Sequence, residues 1–256
     1  MIQSNSILSV LVFLVSFVAV AEDASTQDAS TQDAKPSAES LISQEKKEEE
    51  LVSPPKAIEG WDMLFDGKTL KGWKVTKFGG EGEVNVAEGR IVMDYGSPIT
   101  GITYTGKPPR IDYEIELEAM PIEGLDFFVG LTMPVKESYI SLIVAGWAGA
   151  VVGLSNIDDK DASENETTKF MKFDEGKWYK IRTQVRAEQI TCWINGKKII
   201  QQDIKGRKIG IRPEVELSTP LGLSAFETRT AYRNIRIRKI SKPVKEKPVK
   251  EKPEIR

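Results

Sequence analysis

The chain has 256 residues, with 36 Lys and Arg against 38 Asp and Glu, one cysteine and no histidine. Without histidine there is no Ser/His/Asp or Cys/His nucleophile, no histidine-ligated zinc and no imidazole base, so acid or base work falls to Asp, Glu, Lys or Tyr. Charge divides the chain into residues 22–56 at net −5, residues 242–256 at net +3 and a neutral stretch between them, which excludes the basic stripe that a nucleic-acid partner requires.

Residues 7–21 form an apolar run of 15, ending in Ala19-Val20-Ala21 and followed by acidic polar sequence. This is the pattern of a secretory signal with cleavage after Ala21, and it predicts a secreted, periplasmic or cell-envelope protein with no membrane span after cleavage. The run is short for a bilayer span. Residues 1–6 lack Lys and Arg, which keeps a retained N-terminal anchor as the alternative. Residues 22–57 repeat Asp-Ala-Ser-Thr-Gln and then turn Lys/Glu/Ser-rich, so they read as a disordered low-complexity linker.

A domain is expected over residues 58–241. It opens with a short strand, an Asp66-Gly67 turn and a second strand from Trp73. Further strands are predicted over 84–86, 90–95, 99–104, 111–119, 127–131, 139–145, 150–154, 168–173, 222–226 and 232–240. The clearest element is a hairpin over 178–203. Tyr179, Ile181, Thr183 and Val185 share one face of its first strand, and Ile190, Cys192 and Ile194 share one face of its second. Asn195-Gly196 supplies the two positive-φ residues of a type I′ turn. Strands at roughly ten-residue spacing, with no convincing helix, predict an all-β jelly-roll sandwich of two antiparallel sheets. The single cysteine forbids an internal disulfide, and its parity with Ile190 and Ile194 makes Cys192 a packed small hydrophobe. Residues 242–256 repeat Lys-Pro-Val-Lys-Glu, which forbids helix and predicts a disordered tail.

Three segments and one hairpin carry a family likeness. They are Phe65-Asp66-Gly67-Lys68-Thr69-Leu70-Lys71-Gly72-Trp73, residues 176–182 (Gly-Lys-Trp-Tyr-Lys-Ile-Arg), the Trp193 to Lys197 turn, and Arg233-Asn234-Ile235-Arg236-Ile237-Arg238. Over residues 58–240 the chain resembles the bacterial 3-keto-disaccharide hydrolase domains, which are secreted sandwiches similar to concanavalin A-like lectins and glucanases. The resemblance implies a carbohydrate partner and a hydrolase acting on 3-keto-disaccharides or 3-keto-glucosides. A ketone at C3 acidifies the C2 proton, so a carboxylate can remove it and expel the glycosidic oxygen. The middle of the chain departs from the family, because residues 126–133 carry no Arg and residues 139–143 no Glu. A noncatalytic carbohydrate-binding module and an envelope interaction domain remain the alternatives.

The richest carboxylate stretch, residues 156–166, follows a glycine-rich strand pair where a ligand could approach backbone closely. Asp161 and Glu164 are its candidate catalytic residues, and Asp158 and Asp159 could hold Ca²⁺, although the spacing is not that of an EF-hand. The other reading of this stretch is a solvated acidic loop. Parity on the two preceding strands puts Phe127, Val129 and Leu131 in the core. It leaves Asp126, Phe128, Tyr139 and Trp147 as an aromatic-acidic groove for stacking on a sugar. Asp112, Glu114, Glu116 and Glu118 alternate with apolar residues and are expected on a solvated face, with Trp178 and Trp193 at the sandwich edge and Arg233, Arg236 and Arg238 exposed. No sequence feature sets an oligomeric state.

Overall fold

The computed structural model describes residues 60–241. The expected signal, linker and C-terminal tail therefore lie outside the described residues. The fold is the expected sandwich of two antiparallel sheets. Its strands are β1 (Asp62–Met63), β2 (Trp73–Val75), β3 (Val84–Ala87), β4 (Arg90–Met93), β5 (Ile99–Tyr104), β6 (Tyr113–Gly124), β7 (Val129–Val135), β8 (Ser138–Ala145), β9 (Val151–Ser155), β10 (Lys169–Phe170), β11 (Tyr179–Val185), β12 (Gln189–Ile194), β13 (Lys197–Asp203), β14 (Gly222–Phe226) and β15 (Thr228–Lys239). One sheet runs β13-β12-β11-β6-β15-β4-β3, with β1 added against β15, and the other runs β10-β9-β8-β7-β14-β5-β2. Among the described residues no helix is long and apolar enough to cross a membrane.

The β11–β12–β13 hairpins form as their pattern predicts. Asn195 and Gly196 take φ of 50° and 78°, the type I′ geometry that sets Ile181 opposite Ile194 and Thr183 opposite Cys192. Cys192 is buried, and burial pushes its thiol up to about 12, which leaves it inert as a nucleophile. Central strand β6 alternates Tyr113, Ile115, Leu117 and Ala119 inward, against Leu131, Met133, Ile140 and Leu142 of the facing sheet. Two tyrosines tie the sheets together: Tyr113 donates to the Pro134 carbonyl at 2.8 Å and Tyr232 to the Phe128 carbonyl at 2.6 Å.

The opening motif is a folding device. The Asp66 carboxylate accepts the Lys68 and Thr69 amides at 2.8 and 2.7 Å and the Thr69 hydroxyl at 2.7 Å, which holds it below the usual carboxylate range. This Asx turn delivers Phe65 and Trp73 to the core, where the Trp73 indole donates to the Leu64 carbonyl at 2.7 Å.

The outer face of the first sheet differs from expectation. Glu114 and Glu116 are buried, because β15 lies beside β6 in a register that sets Arg238, Arg236 and Arg233 opposite Glu114, Glu116 and Glu118. Arg238 donates to Glu114 at 2.8 Å, Arg236 pairs with Glu116, and Arg233 donates to Glu118 at 2.8 Å. The indoles lie over the guanidiniums rather than at the sandwich edge. Trp61 stacks on Arg238 and Arg236 at 4.5 and 4.8 Å, Trp178 on Arg233 at 4.0 Å and Trp193 on Arg182 at 4.1 Å.

Candidate functional site

The outer face of the second sheet is built from small residues. Ser155, Ser141, Thr132, Gly222 and Thr103 occupy one cross-strand row, and Gly153, Ile143, Gly130, Ser224 and Gly101 the next. Small side chains let covering segments approach the strands closely. A Cβ at Gly222 would meet the Ser218 carbonyl oxygen at 2.5 Å, and one at Gly130 the Phe127 ring at 3.0 Å. The cover on one side is a 3-10 turn, Pro213–Ser218, with Pro213 at its start.

Between these covers lies a groove of about 190 Å³. Phe127, Phe226, Ile143 and Ile99 form its apolar wall; Ser141 and Ser155 lie in its floor with their hydroxyls bonded to Thr132 and Asn156; Asp126 and Trp147 stand on one side, and Arg212, Glu214 and Val215 on the other. The groove follows the β8–β9 hairpin. Trp147 belongs to the connecting turn, whereas Arg212 stands beyond Gly210, whose amide pairs with Asn156 next to Ser155. Trp147 follows the end of β8 and Arg212 lies towards Ser155, which pairs with Ser141 further back along β8, so the groove has an aromatic end and a charged end.

Asp126 holds the aromatic end. Its Oδ1 accepts the Phe127 amide at 2.7 Å and its Oδ2 the Ala148 amide at 3.1 Å. The second bond pins a turn in which Ala145, Trp147 and Ala148 all take left-handed backbone, at φ of 67°, 50° and 62°. Such conformations cost on the order of 1 kcal/mol or more each, and surrounding contacts must hold them. The result keeps the Trp147 indole 39% exposed at the groove mouth.

Arg212 organises the charged end. It donates to Glu214 through Nε at 3.3 Å and Nη2 at 2.7 Å, and to Asp161 through Nη1 at 2.9 Å. A guanidinium has five N–H donors, so this clamp leaves two for a ligand. The Arg212 hydrogen bonds hold the Glu214 carboxyl below its usual range, so it stays ionised at neutral pH.

The structure brings together only part of the groove expected from sequence. Asp126 and Trp147 line it. Phe128 does not: the chain bends before β7, so Phe128 turns into the core against Phe173 and Tyr179, and Phe127 takes the outward place. A strict two-residue alternation fails where the strand has not yet begun. Tyr139 shares the outer face with Ser141 but lies outside the groove wall, under the Arg110 guanidinium at 4.9 Å. Asp161 touches Arg212 from behind and caps Ser163. Glu164 is exposed and outside the lining.

The Ca²⁺ reading of Asp158 and Asp159 does not fit. Asp158 accepts the Lys208 amide at 2.8 Å and Arg207 Nε at 2.5 Å, which lower its pKa, and Asp159 pairs with the Lys208 ammonium at 2.7 Å. These carboxylates are already neutralised by cations. Among the described residues no three His, Cys, Asp or Glu side chains converge on a metal position. Arg212, Glu214, Ile99 and Phe226 went unread in the sequence, since the first two sit in an aperiodic loop and the last two stand at strand termini, Ile99 opening β5 and Phe226 closing β14. The Arg-Pro-Glu at 212–214 marks a turn and nothing more.

Solved structures share this architecture. A Crh5 transglycosylase superposes with a TM-score of 0.50 at 13% identity, covering 72% of this chain and 84% of that one. A carbohydrate binding module from Bacillus subtilis gives 0.47 at 12%, covering 65% and 95%. Domain 4 of an extracellular arabinanase from Geobacillus stearothermophilus gives 0.42 at 16%, covering 65% and 82%. At 13% identity the likeness to the transglycosylase is one of fold. No curated protein matches the sequence. Residues 60–238, nearly all of the described sandwich, match the model of the 3-keto-alpha-glucoside-1,2-lyase-like domain, and the chain belongs to that family.

Proposed function

We propose that the protein is an exported, glycoside-directed domain whose groove seats one pyranose of a 3-keto-glucoside or 3-keto-disaccharide and releases its aglycone. The observation that carries this reading is a groove with aromatic walls and, at one end, a clamped guanidinium with two N–H groups to spare. Its volume of about 190 Å³ falls below the roughly 300 Å³ where pockets for drug-sized ligands begin, so it suits a single sugar ring. Aromatic faces stack on the apolar side of a pyranose, and Arg212 can donate to its oxygens.

In this reading Asp126 is the base. Two of its roughly four lone-pair sites accept backbone amides and the others are free for a proton. Asp126 takes the proton from C2, and the C–H electrons form an enolate whose negative oxygen at C3 is stabilised by the free N–H groups of Arg212. The enolate collapses to a C1–C2 double bond, and the C1–O bond breaks with its electron pair leaving on the aglycone oxygen, which is then protonated. Water added across the double bond gives the free 3-keto sugar, so elimination plus hydration equals hydrolysis. Asp161 positions Arg212, and Glu164 has no part in the step.

A second reading, a noncatalytic sugar-binding module, is favoured by one observation. Glu214, a carboxylate of the groove, is held ionised below its usual range by Arg212, which makes it a poor acid and a weakened base. Incubating the protein with 3-keto-trehalose and methyl 3-keto-glucoside separates the two. Turnover that incorporates solvent deuterium at C2, as loss of the C2 proton and hydration of the double bond require, and that is lost in Asp126→Asn, supports the enzyme. Binding without turnover supports the module, and neither binding nor turnover refutes both.

A further inference from the structure

If one pyranose fills the groove, the group attached at C1 must lie outside it. C1 and C3 lie two bonds apart around the ring, so a sugar with its ketone at Arg212 directs C1 away from the charged end. The aromatic end is where the substituent emerges.

That end carries an apolar shelf. Leu125 is 81% exposed and Phe170 is 78% exposed, the two highest values among the exposed large hydrophobic residues described. Trp147, itself 39% exposed, lines the groove at this end, and Leu125 and Phe170 flank the lining. Leu125 precedes Asp126, and its carbonyl lies 3.6 Å from where a Cβ on Gly149 of the Trp147 turn would sit. Phe170 pairs with Val151, whose side chain packs with Ile143 and Phe127 of the groove wall, so the register puts Phe170 on the groove face of the sheet. Exposed apolar residues that flank a binding groove are a place for apolar ligand surface.

We infer that Leu125 and Phe170, with Trp147, form an aglycone subsite that selects glycosides of apolar, aromatic aglycones over those of small polar ones. The inference rests on the proposed seating of the sugar ring in the groove. It commits to the aglycone as occupant because Leu125 adjoins Asp126 and Phe170 adjoins Val151 behind the groove wall, while the groove itself has room for one sugar ring.

The test compares phenyl 3-keto-glucoside with methyl 3-keto-glucoside by calorimetry, in the natural protein and in Leu125→Ser/Phe170→Ser. Both residues are exposed, so the variant keeps its fold, which its thermal transition checks. The expected result is about tenfold tighter binding of the phenyl compound, falling to near parity in the variant while the methyl compound is unaffected. Equal binding of both compounds to the natural protein, or a preference that survives in the variant, overturns the subsite while leaving the groove reading intact. Failure of both compounds to bind overturns the groove reading and the subsite together, and failure of the phenyl compound alone overturns only the subsite. Sedimentation showing a natural dimer that the variant dissociates makes the shelf a self-association face and likewise overturns the inference.

Discussion

The two outer faces of the sandwich use charge in opposite ways. On the first sheet Glu114, Glu116 and Glu118 are each matched by an arginine on the neighbouring strand, and those arginines are roofed by Trp61 and Trp178. On the second sheet the strands present Gly, Ser and Thr, and Arg212 stands over a groove with two donors unspent. The lesson is that a dense array of ionic and aromatic residues need not be a site. Where every carboxylate has its own arginine the array is structural, and where a clamped guanidinium beside a groove keeps spare N–H groups a ligand can be held.

The largest effect should come from breaking the face of matched ion pairs. Arg236→Met leaves buried Glu116 with only Lys180, at 3.1 Å, and should cost about 3 kcal/mol in urea denaturation while leaving sugar affinity unchanged. A cost below about 1 kcal/mol would mean that the ladder behaves as a solvated surface, and the contrast between the faces would fail.

Next is the close approach that shapes the groove. Gly222→Ala places a methyl 2.5 Å from the Ser218 carbonyl oxygen, so the Pro213–Ser218 turn must shift. Overpacking of this kind costs about 2 kcal/mol, and here it should weaken sugar binding as well, because the turn carries Glu214. Calorimetry and denaturation on the same sample check both halves.

Arg212→Gln should do the reverse of the ladder variant. The pair with Glu214 is largely exposed, so stability should change by less than about 1 kcal/mol, whereas affinity for the 3-keto sugar should fall about tenfold. Equal affinity in the variant would remove Arg212 from the ligand's contacts.

The smallest effect is on pH dependence. The folded pKa of Glu214 is depressed, so its contribution to stability is complete above the ordinary glutamate value of about 4.3 and is lost as pH falls through the folded value. Affinity should stay flat from pH 8 to about 5 and decline only on further acidification. NMR titration of the Glu214 carboxyl should show its midpoint rising to the ordinary range in Arg212→Gln.

Much of the fold was legible because its signals are local. Asn195-Gly196 specifies a turn from two residues, and the Asp66 turn closes within three. The family motif at 65–73 was recognisable for the same reason, and its work proves to be in folding. The groove was less legible. Asp126 and Trp147 could be read by parity, but the bend at residues 127 and 128 exchanged two adjacent phenylalanines between the core and the groove. Nothing periodic announced the loop that contributes Arg212 and Glu214.

The sequence by itself determined the strands, their inward faces, the principal hairpin and the absence of imidazole chemistry, because each depends on residue type or on spacing within one element. Only the tertiary structure decided which outward charges meet. Glu114 finds Arg238 across 124 residues of chain, and Asp161 finds Arg212 across 51. Those pairings depend on strand order and register, which arise from the packing of the whole sandwich. They made the acidic ladder structural, took Asp158 and Asp159 away from any metal, and left Arg212 with the free donors.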